Sequence, residues 1–194
     1  MLWHSALVKN LKVQFIFREK GEEILLRKLK RKDAAGMLEW MHDPEVQKGL
    51  RMNALEKTEE DAIKFIEEAT TEPVEGGSVH FAIVNESDQY EGTISLKNFN
   101  FQAGNAEYAI CLRSSAQHKG AAAQATKEIL KLAFQKYNLE RVYLSVLSDN
   151  MKALQMYEKA GFIYEGELRR HLFLNGEYKN LKCYSILKEE YQKL

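Results

Sequence analysis

The stretch from residue 106 to residue 161 constrains the fold most, because it alternates between strand and helix patterns. Two runs rich in β-branched and aromatic residues are typical of strands, and two longer runs are typical of helices. The strands are expected at residues 106–113 and 141–147, and the helices at residues 121–137 and 151–160, with Gly161 closing the second helix. This order predicts a strand–helix–strand crossover in the middle of a sheet.

The segments on either side of this stretch predict antiparallel pairs. Residues 79–84 and 90–97 are joined by a short polar connection, which favours a hairpin. The clearest turn is Asn175-Gly176, which suits a type I′ turn between strands at residues 168–174 and 177–186. The predicted order is β-α-α-β-β-β-α-β-α-β-β. It indicates an α+β fold with a mixed, mostly antiparallel sheet of about seven strands flanked by about four helices.

Two helix starts are predicted in the first third of the chain. Asp33 suits the N-cap of a helix through Met41, and Thr58 suits the N-cap of the next helix. The polar and aliphatic residues between these helices, 42–57, are expected to form a loop.

The domain organisation follows from the few breaks in the pattern. Residues 24–29 form the first clear strand, whereas residues 13–17 could add a strand that turns back onto it. The chain has only two prolines and no low-complexity linker. We therefore expect an N-terminal extension over residues 1–22 and a single domain over residues 23–194.

The charge balance limits which partners the chain can bind. There are 28 Lys and Arg residues against 28 Asp and Glu residues, so no overall field attracts nucleic acid or an anionic membrane. No run approaches the roughly 18 apolar residues of a membrane helix, and the N-terminus lacks the pattern of a signal peptide. We expect a soluble, cytoplasmic protein with no nucleic-acid and no membrane partner, which holds any anionic ligand by a local arrangement.

The cysteine pattern argues against a metal site. Cys111 and Cys183 have neither CxxC nor Cys/His spacing, so we predict no metal and no disulfide framework. Their use suits a reducing compartment. Cys111 is expected to face a packed sheet and to form no covalent intermediate.

The loop before the helix at residues 121–137 has the features of an anion site. Gly120 stands at the helix start and is followed by three alanines, whose small side chains leave the backbone open. A helix N-terminus carries unpaired N–H groups and roughly half a positive charge. A phosphate-bearing ligand could bind there, although the same residues also suit a tight turn and close helix packing.

A second group of residues opens the helix at 151–160. Asn150 suits an N-cap, and Tyr157 lies seven residues further on, on about the same helix face. A phenol in this position could protonate a leaving group of similar pKa, which a thiolate matches better than an alkoxide. Taken alone, the two residues are better explained as a plain cap and a core aromatic.

The two groups together match a known pattern, Q/R-x-x-G-x-G/A followed by N-x-x-A-x-x-x-Y…GF. The matching positions are Gln117, Gly120 and Ala122 in the first motif, and Asn150, Ala153, Tyr157, Gly161 and Phe162 in the second. In these motifs and in the order of its elements, the chain resembles the GNAT N-acetyltransferase superfamily from about residue 24 to the C-terminus. Residues 38–46 and 164–178 are similar to a branch with ribosomal-protein N-terminal alanine, spermidine and aminosugar-nucleotide acetyltransferases.

The resemblance implies the GNAT fold and acetyl-CoA as the acetyl donor. It implies that the N–H groups around residues 118–123 hold the pyrophosphate and that the main chain of residues 110–112 pairs with the pantetheine arm. By the same resemblance Asn150 contacts the pantetheine, and Tyr157 is the catalytic residue that protonates the departing thiolate. The implied cofactor-binding residues are Ile110, Cys111, Leu112, Gln117, His118, Lys119, Gly120, Ala121, Ala122, Ala123, Asn150 and Tyr157.

An acceptor amine must be neutral when it attacks, so a base or a water chain has to remove its proton. Glu107 is the candidate base, because it stands on the strand beside the implied thioester site. It could equally be an outward-facing strand residue. A strand bulge near Ala109 would decide between these alternatives.

We expect the acceptor to be a primary amine of a small metabolite, either an aminosugar nucleotide or a polyamine. A protein N-terminus is the alternative acceptor, and a catalytically silent acetyl-CoA-binding module is the alternative from another class. The acidic residues Glu39, Asp43 and Glu45 would suit a polyamine, whereas Arg51, Arg169 and Arg170 could pair with phosphates. Further acceptor candidates are Asn53, His171 and Tyr178. By analogy, the closing hairpin could also form a homodimer.

Overall fold

The computed structural model describes residues 24–194, which form one seven-stranded sheet with helices on both faces. The expected extension over residues 1–22 lies outside the described residues. The strands are β1 (Leu25–Lys28), β2 (Val79–Val84), β3 (Tyr90–Asn100), β4 (Asn105–Leu112), β5 (Arg141–Leu147), β6 (Ile163–Leu174) and β7 (Glu177–Leu187). Their order across the sheet is β1-β2-β3-β4-β5-β7-β6.

The strand pairing confirms the predicted mixed sheet. Strands β4 and β5 run parallel, whereas every other pair of neighbours in the described sheet is antiparallel. A parallel pair needs a crossover connection. The helix between β4 and β5 provides it, as the sequence predicted.

The helices are α1 (Ala34–Met41), α2 (Pro44–Gln47), α3 (Glu59–Glu68), α4 (Ala121–Lys131), α5 (Met151–Lys159) and α6 (Lys188–Tyr191). The four longer helices, α1, α3, α4 and α5, are the four that were predicted. A π turn over Leu132–Lys136 continues α4 to the predicted end of that helix. Within residues 24–194, no helix has the length and apolarity needed to cross a membrane.

In the first third of the chain, one local prediction was wrong and another was confirmed only in its position. Residues 42–57 are not entirely a loop, because Asp43 caps the single turn α2 by accepting the N–H of Glu45 at 2.8 Å. Asp33 is the N-cap residue of α1, as predicted, but its carboxylate makes no cap bond and instead accepts two hydrogen bonds from the Arg27 guanidinium at 2.7 and 2.8 Å. The prediction for Thr58 is confirmed, since its hydroxyl accepts the N–H of Asp61 at 3.3 Å.

Two apolar cores lie on opposite faces of the sheet. The first packs α4 and α5 against the central strands and includes Tyr108, Ile129 and Leu144. The second packs α1 and α3 over β2 and the start of β3, around Met37 and Ile66. Because no buried residue of β5 or β7 belongs to the second core, that half of the face carries no helical layer.

The closing hairpin has the predicted turn. Asn175 and Gly176 have φ angles of 51° and 82°, as a type I′ turn requires. Strand β6 begins at Ile163, five residues before the predicted start, and its pairing with β7 is interrupted by two register shifts. It forms one edge of the sheet.

Candidate active site

The two parallel strands separate part-way along their length. Strands β4 and β5 pair at only three positions, Asn105 with Arg141, Ala106 with Val142, and Glu107 with Tyr143. Beyond the last pair, the edges of β4 and β5 that face each other have no strand partner. Backbone N–H and C=O groups along these edges are therefore open to a ligand.

A large cleft of about 1800 Å³ lies beside this opening, between the end of β4, the start of α4 and helix α5. It brings together nine of the twelve cofactor-binding residues that the sequence implied. These are Ile110, Cys111, Leu112, Gln117, His118, Gly120, Ala122, Ala123 and Asn150. The other three, Lys119, Ala121 and Tyr157, do not line it.

The N-terminus of α4 faces the cleft with its backbone uncovered. Gly120 is the N-cap residue, and its φ of 82° lies in the left-handed region that favours glycine. A Cβ atom added there would meet no other atom within 4 Å. The first helical hydrogen bond runs from the N–H of Gln124 to the C=O of Gly120 at 3.1 Å. The N–H groups of residues 121–123 therefore precede the ladder and can bind an anion.

Asn150 starts helix α5 as predicted. Its side-chain oxygen accepts the N–H of Ala153 at 3.2 Å, which is an N-cap bond. Its Nδ2 donates to the carbonyl of Gly49 at 3.4 Å. The residue thus ties the loop that follows α2 to the wall of the cleft.

Tyr157 is buried behind the cleft wall. Its ring makes edge contacts with Tyr108 and Phe162, at centroid distances of 5.8 and 5.9 Å. Burial raises the pKa of Tyr157 to about 12, an effect that the positive charge of Arg51 opposes and Cys111 reinforces. The phenol is therefore protonated at neutral pH and retains a proton that it can donate.

Cys111 lies on the cleft as a thiol. Burial raises the pKa of this thiol well above its usual value. A nucleophilic cysteine needs the thiolate form, so Cys111 is not suited to form a covalent intermediate. Both Cys111 and Cys183 are free cysteines.

The Glu107 side chain lies on the opposite face of the sheet from the first core. Residues Glu107 to Leu112 pair one for one with Lys97 to Gly92, so β4 has no bulge at Ala109. The Glu107 side chain is only 11% exposed and contacts two cations. Arg51 donates to its Oε1, Asn98 donates to its Oε2 at 3.0 Å, and the Lys97 ammonium lies 3.8 Å from Oε2. The carboxylate is a buried, fully partnered group and not a solvent-facing strand residue.

The acidic residues considered for the acceptor are already paired. Glu39 accepts from Arg113 at 2.5 Å, and Glu45 pairs with Lys48 at 2.5 Å. Asp43 accepts the Ser114 hydroxyl and caps α2, and these bonds lower its pKa. The remaining acceptor candidates, Asn53, Arg169, Arg170, His171 and Tyr178, are exposed.

Several cleft residues were missed by sequence reasoning. They are residues 46–50, which run from α2 into the loop after it, three lysines of α4 and α5 (Lys127, Lys152 and Lys159), and the hairpin residues Leu174, Glu177 and Lys179. Lys152 and Lys159 are seven residues apart, so helical spacing could have placed both on one face of α5. The loop and the hairpin reach the cleft only through tertiary packing, which leaves no local signal. In the described part of the chain, no three His, Cys, Asp or Glu residues are placed to hold a metal ion.

Comparison with known proteins identifies the family. A model of the acetyltransferase (GNAT) domain matches residues 23–163. The chain belongs to the GNAT acetyltransferase family. It is 32% identical over 111 residues to a spermidine N(1)-acetyltransferase of Vibrio cholerae, covering 57% of this chain and 64% of the relative. It is 36% identical over 100 residues to the corresponding Escherichia coli enzyme, covering 52% and 54%.

One further relative and one crystal structure support the same family. A putative ribosomal N-acetyltransferase of Bacillus subtilis is 32% identical over 101 residues, covering 52% of this chain and 55% of the relative. The crystal structure of the Vibrio cholerae spermidine N-acetyltransferase with CoA and spermine has a TM-score of 0.75 and 25% identity, covering 87% and 98%. The aligned segments span 54–64% of the length of the spermidine relatives in the sequence comparison. The predicted GNAT fold, and the branch with spermidine and ribosomal enzymes, are confirmed.

Proposed function

We propose that this GNAT protein is an N-acetyltransferase that moves an acetyl group from acetyl-CoA directly to a primary amine of a small metabolite. The observation that carries the proposal is one cleft that joins the opening between β4 and β5 to the uncovered N-terminus of α4. The family and the named activities of its relatives support the same chemistry. The acceptors that fit are an aminosugar nucleotide or a polyamine.

The cleft has the properties that coenzyme A requires. The cofactor carries a pyrophosphate, which the N–H groups of residues 121–123 would bind together with Gln117, His118 and Lys119. A residue with a side chain in place of Gly120 would narrow this approach, because its Cβ would point into space that is open now. Asn150 and the β4 edge at residues 110–112 would bind the pantetheine arm.

Acetyl-CoA would supply the acetyl thioester, and the chain would position it for attack. An N–H of residues 110–112 would donate to the thioester oxygen, where negative charge develops during transfer. In the reaction the amine nitrogen forms a bond to the acetyl carbon as the carbon–sulfur bond breaks. No enzyme residue becomes acetylated.

Two side chains would move the protons. Tyr157 would give its proton to the departing thiolate, and the amine would lose one proton to Glu107 or to a water chain. A bound ammonium gives up one proton to become neutral and a second as the amide forms; one of these restores the phenol through solvent and the other is released, so the protons balance. Both oxygens of Glu107 already accept bonds, so the amine proton would have to reach a lone pair that these donors leave open.

A protein N-terminus is the second candidate acceptor. The similarity to a putative ribosomal N-acetyltransferase favours it. A silent acetyl-CoA-binding module is the alternative from another class, and the presence of both Asn150 and Tyr157 argues against it. The proposal also places the protein in the cytoplasm, as its unpaired cysteines suggest.

The test has two parts. First, saturating acetyl-CoA should raise the melting temperature of the protein, because a ligand at about 100 times its Kd stabilises by about 2.7 kcal/mol. Second, thiol release should be measured with polyamines, aminosugar nucleotides and N-terminal peptides as acceptors. Absence of a thermal shift would overturn the family chemistry. A shift without release in any acceptor class would favour the silent module.

A homodimer through the closing hairpin is part of the proposal. Strand β6 is an edge strand, and large apolar side chains along the hairpin are exposed, namely Ile163, Tyr164, Leu168, Phe173 and Tyr178. Such a surface is typical of an interface between chains. Light scattering during gel filtration should give twice the chain mass, and a monomer at high concentration would contradict this.

A further inference from the structure

A charged cluster of Arg51, Lys97 and Glu107 lies at the base of the opening between β4 and β5, on the proposed acceptor side. Side chains alternate along a strand, and Tyr108 and Leu144 point into the first core. Glu107 and Ser145 therefore point to the opposite face, at the point where the two strands begin to separate. No helix of the second core covers this place.

Arg51 bridges the two strands in this cluster. Its Nη1 donates to the Ser145 hydroxyl on β5 at 2.5 Å, and its Nη2 donates to Glu107 on β4. The Arg51 side chain is 31% exposed. It comes from residues 48–58, which form neither helix nor strand. The Arg51 side chain is thus accessible to solvent, and it belongs to a loop whose backbone is not held by helix or sheet hydrogen bonds.

The local charge of this cluster is positive. Two cations, Arg51 and Lys97, face one carboxylate, Glu107, which gives a formal sum of +1. The neighbouring Arg141 and Glu165 pair with each other at 2.5 Å and add no net charge. A polycation would therefore meet like charges at this cluster, and the acidic residues near Asp43 already have partners.

We propose that Arg51 determines acceptor specificity by binding an oxyanion, so that the preferred acceptor is a primary amine that also carries a carboxylate or a phosphate. This inference rests on the proposed function and narrows its acceptor class. A guanidinium presents paired donors that match such oxyanions. When Arg51 turns to the oxyanion, Oε1 of Glu107 loses a donor and becomes free to take the proton of the amine. With the oxyanion on Arg51 and the amine on Glu107, both groups of the acceptor lie beside the open strand edges.

The experiment compares matched acceptors at saturating acetyl-CoA. Thiol release is measured with glucosamine and glucosamine 6-phosphate for the phosphate, with butylamine and 4-aminobutyrate for the carboxylate, and with spermidine as the polycation. The wild-type kcat/KM should be about tenfold higher for the anionic member of at least one pair, and higher than for spermidine. Which pair shows the preference distinguishes phosphate from carboxylate.

Variants of Arg51 separate recognition from a structural role. Arg51→Gln should abolish the preference by raising KM for the acceptor with the oxyanion about tenfold, with KM for its partner without the oxyanion within about threefold. Arg51→Lys keeps the charge but loses the paired donors, so it should retain part of the preference. Lys57→Gln removes an exposed cation of the same loop that pairs with Asp61 at 3.6 Å, and it should leave the acceptor preference unchanged.

Three results would overturn the inference. One is a wild-type preference for spermidine over both anionic acceptors. Another is an equal loss for all five acceptors in Arg51→Gln, which would mean that Arg51 acts only on the structure. The third applies if Arg51→Gln melts well below the wild type and loses all activity. The folded Arg51→Lys variant then decides. If its ratio of kcat/KM between the two members of a pair equals that of the wild type, recognition by paired donors is contradicted. Absence of release with every amine would instead overturn the proposed function, and this inference with it.

Discussion

The two sides of the opening between β4 and β5 are built from different kinds of groups. The proposed cofactor side has backbone N–H groups, one glycine and small side chains at the start of α4, in a cleft that lysines also line. The proposed acceptor side has the charged and polar side chains of Arg51, Lys97, Glu107 and Ser145. In this proposal the backbone holds the part of the cofactor common to the family, whereas single side chains set the acceptor.

The largest expected effect comes from Tyr157, which is buried behind the wall of the cleft. Tyr157→Phe removes the proton donor, so kcat should fall about 100-fold or more, while KM for acetyl-CoA stays within about threefold. Steady-state thiol release at saturating acceptor measures both. Tyr164→Phe is the matched control, because Tyr164 is half exposed on β6. Undiminished release by Tyr157→Phe would remove this residue from the mechanism.

The next effect tests the cofactor side alone. Ala123→Asp places a carboxylate among the free N–H groups of α4, so KM for acetyl-CoA should rise about tenfold through repulsion of the phosphates. The same carboxylate should stabilise the helix by about 0.3–1 kcal/mol through its dipole, so the melting temperature should not fall. Ala123→Asn supplies the neutral control. An unchanged KM in Ala123→Asp would mean that the phosphates bind elsewhere.

A smaller effect tests the acceptor side. Glu107→Gln removes the candidate base, so kcat/KM should fall about tenfold at pH 7 and recover towards high pH, where more of the amine is neutral without help. Values of kcat/KM between pH 6 and pH 9 would show this recovery. Glu165→Gln, on the same face of the sheet, is the control. A parallel loss at every pH would point to a structural role, and no loss would point to a water chain.

The smallest effect concerns the covered part of the acceptor-side face, where His80 bonds to the Ser95 hydroxyl at 2.7 Å and packs against Phe65. Burial, with a smaller contribution from Lys97, lowers the pKa of His80 to about 4. His80 takes up a proton more readily in the unfolded chain than in the folded one. Its contribution to the free energy of unfolding is therefore complete above pH 6.5 and is lost as the pH drops towards 4. The loss should be on the order of 1 kcal/mol.

Urea unfolding at pH 7 and pH 5 would measure this loss. His80→Gln should remove the part of the pH dependence that His80 contributes, whereas His171→Gln, at an exposed position, should leave it intact. An identical pH dependence in the wild type and His80→Gln would mean that His80 titrates normally in the folded protein.

The same comparison explains how much could be predicted from the sequence. Gly120 and Asn150 act through the backbone next to them, so their turn and cap could be read locally, together with the order of the strands. The bridge from Arg51 to Glu107 joins residues 56 positions apart and requires the loop after α2 to fold over β4. Local patterns carry no information about such a contact. The pairing of Asp33 with Arg27, six residues before it, was not foreseen, because the residue type of Asp33 is that of a cap.

The most direct test of the account is hydrogen–deuterium exchange of the whole protein with and without acetyl-CoA. Acetyl-CoA should slow exchange in peptides that cover residues 118–124 and 110–112, and it should leave exchange in strands β1 and β2 unchanged. Unaltered exchange over residues 118–124 in the presence of saturating acetyl-CoA would contradict this account, because the N–H groups at the start of α4 could not then be holding the cofactor.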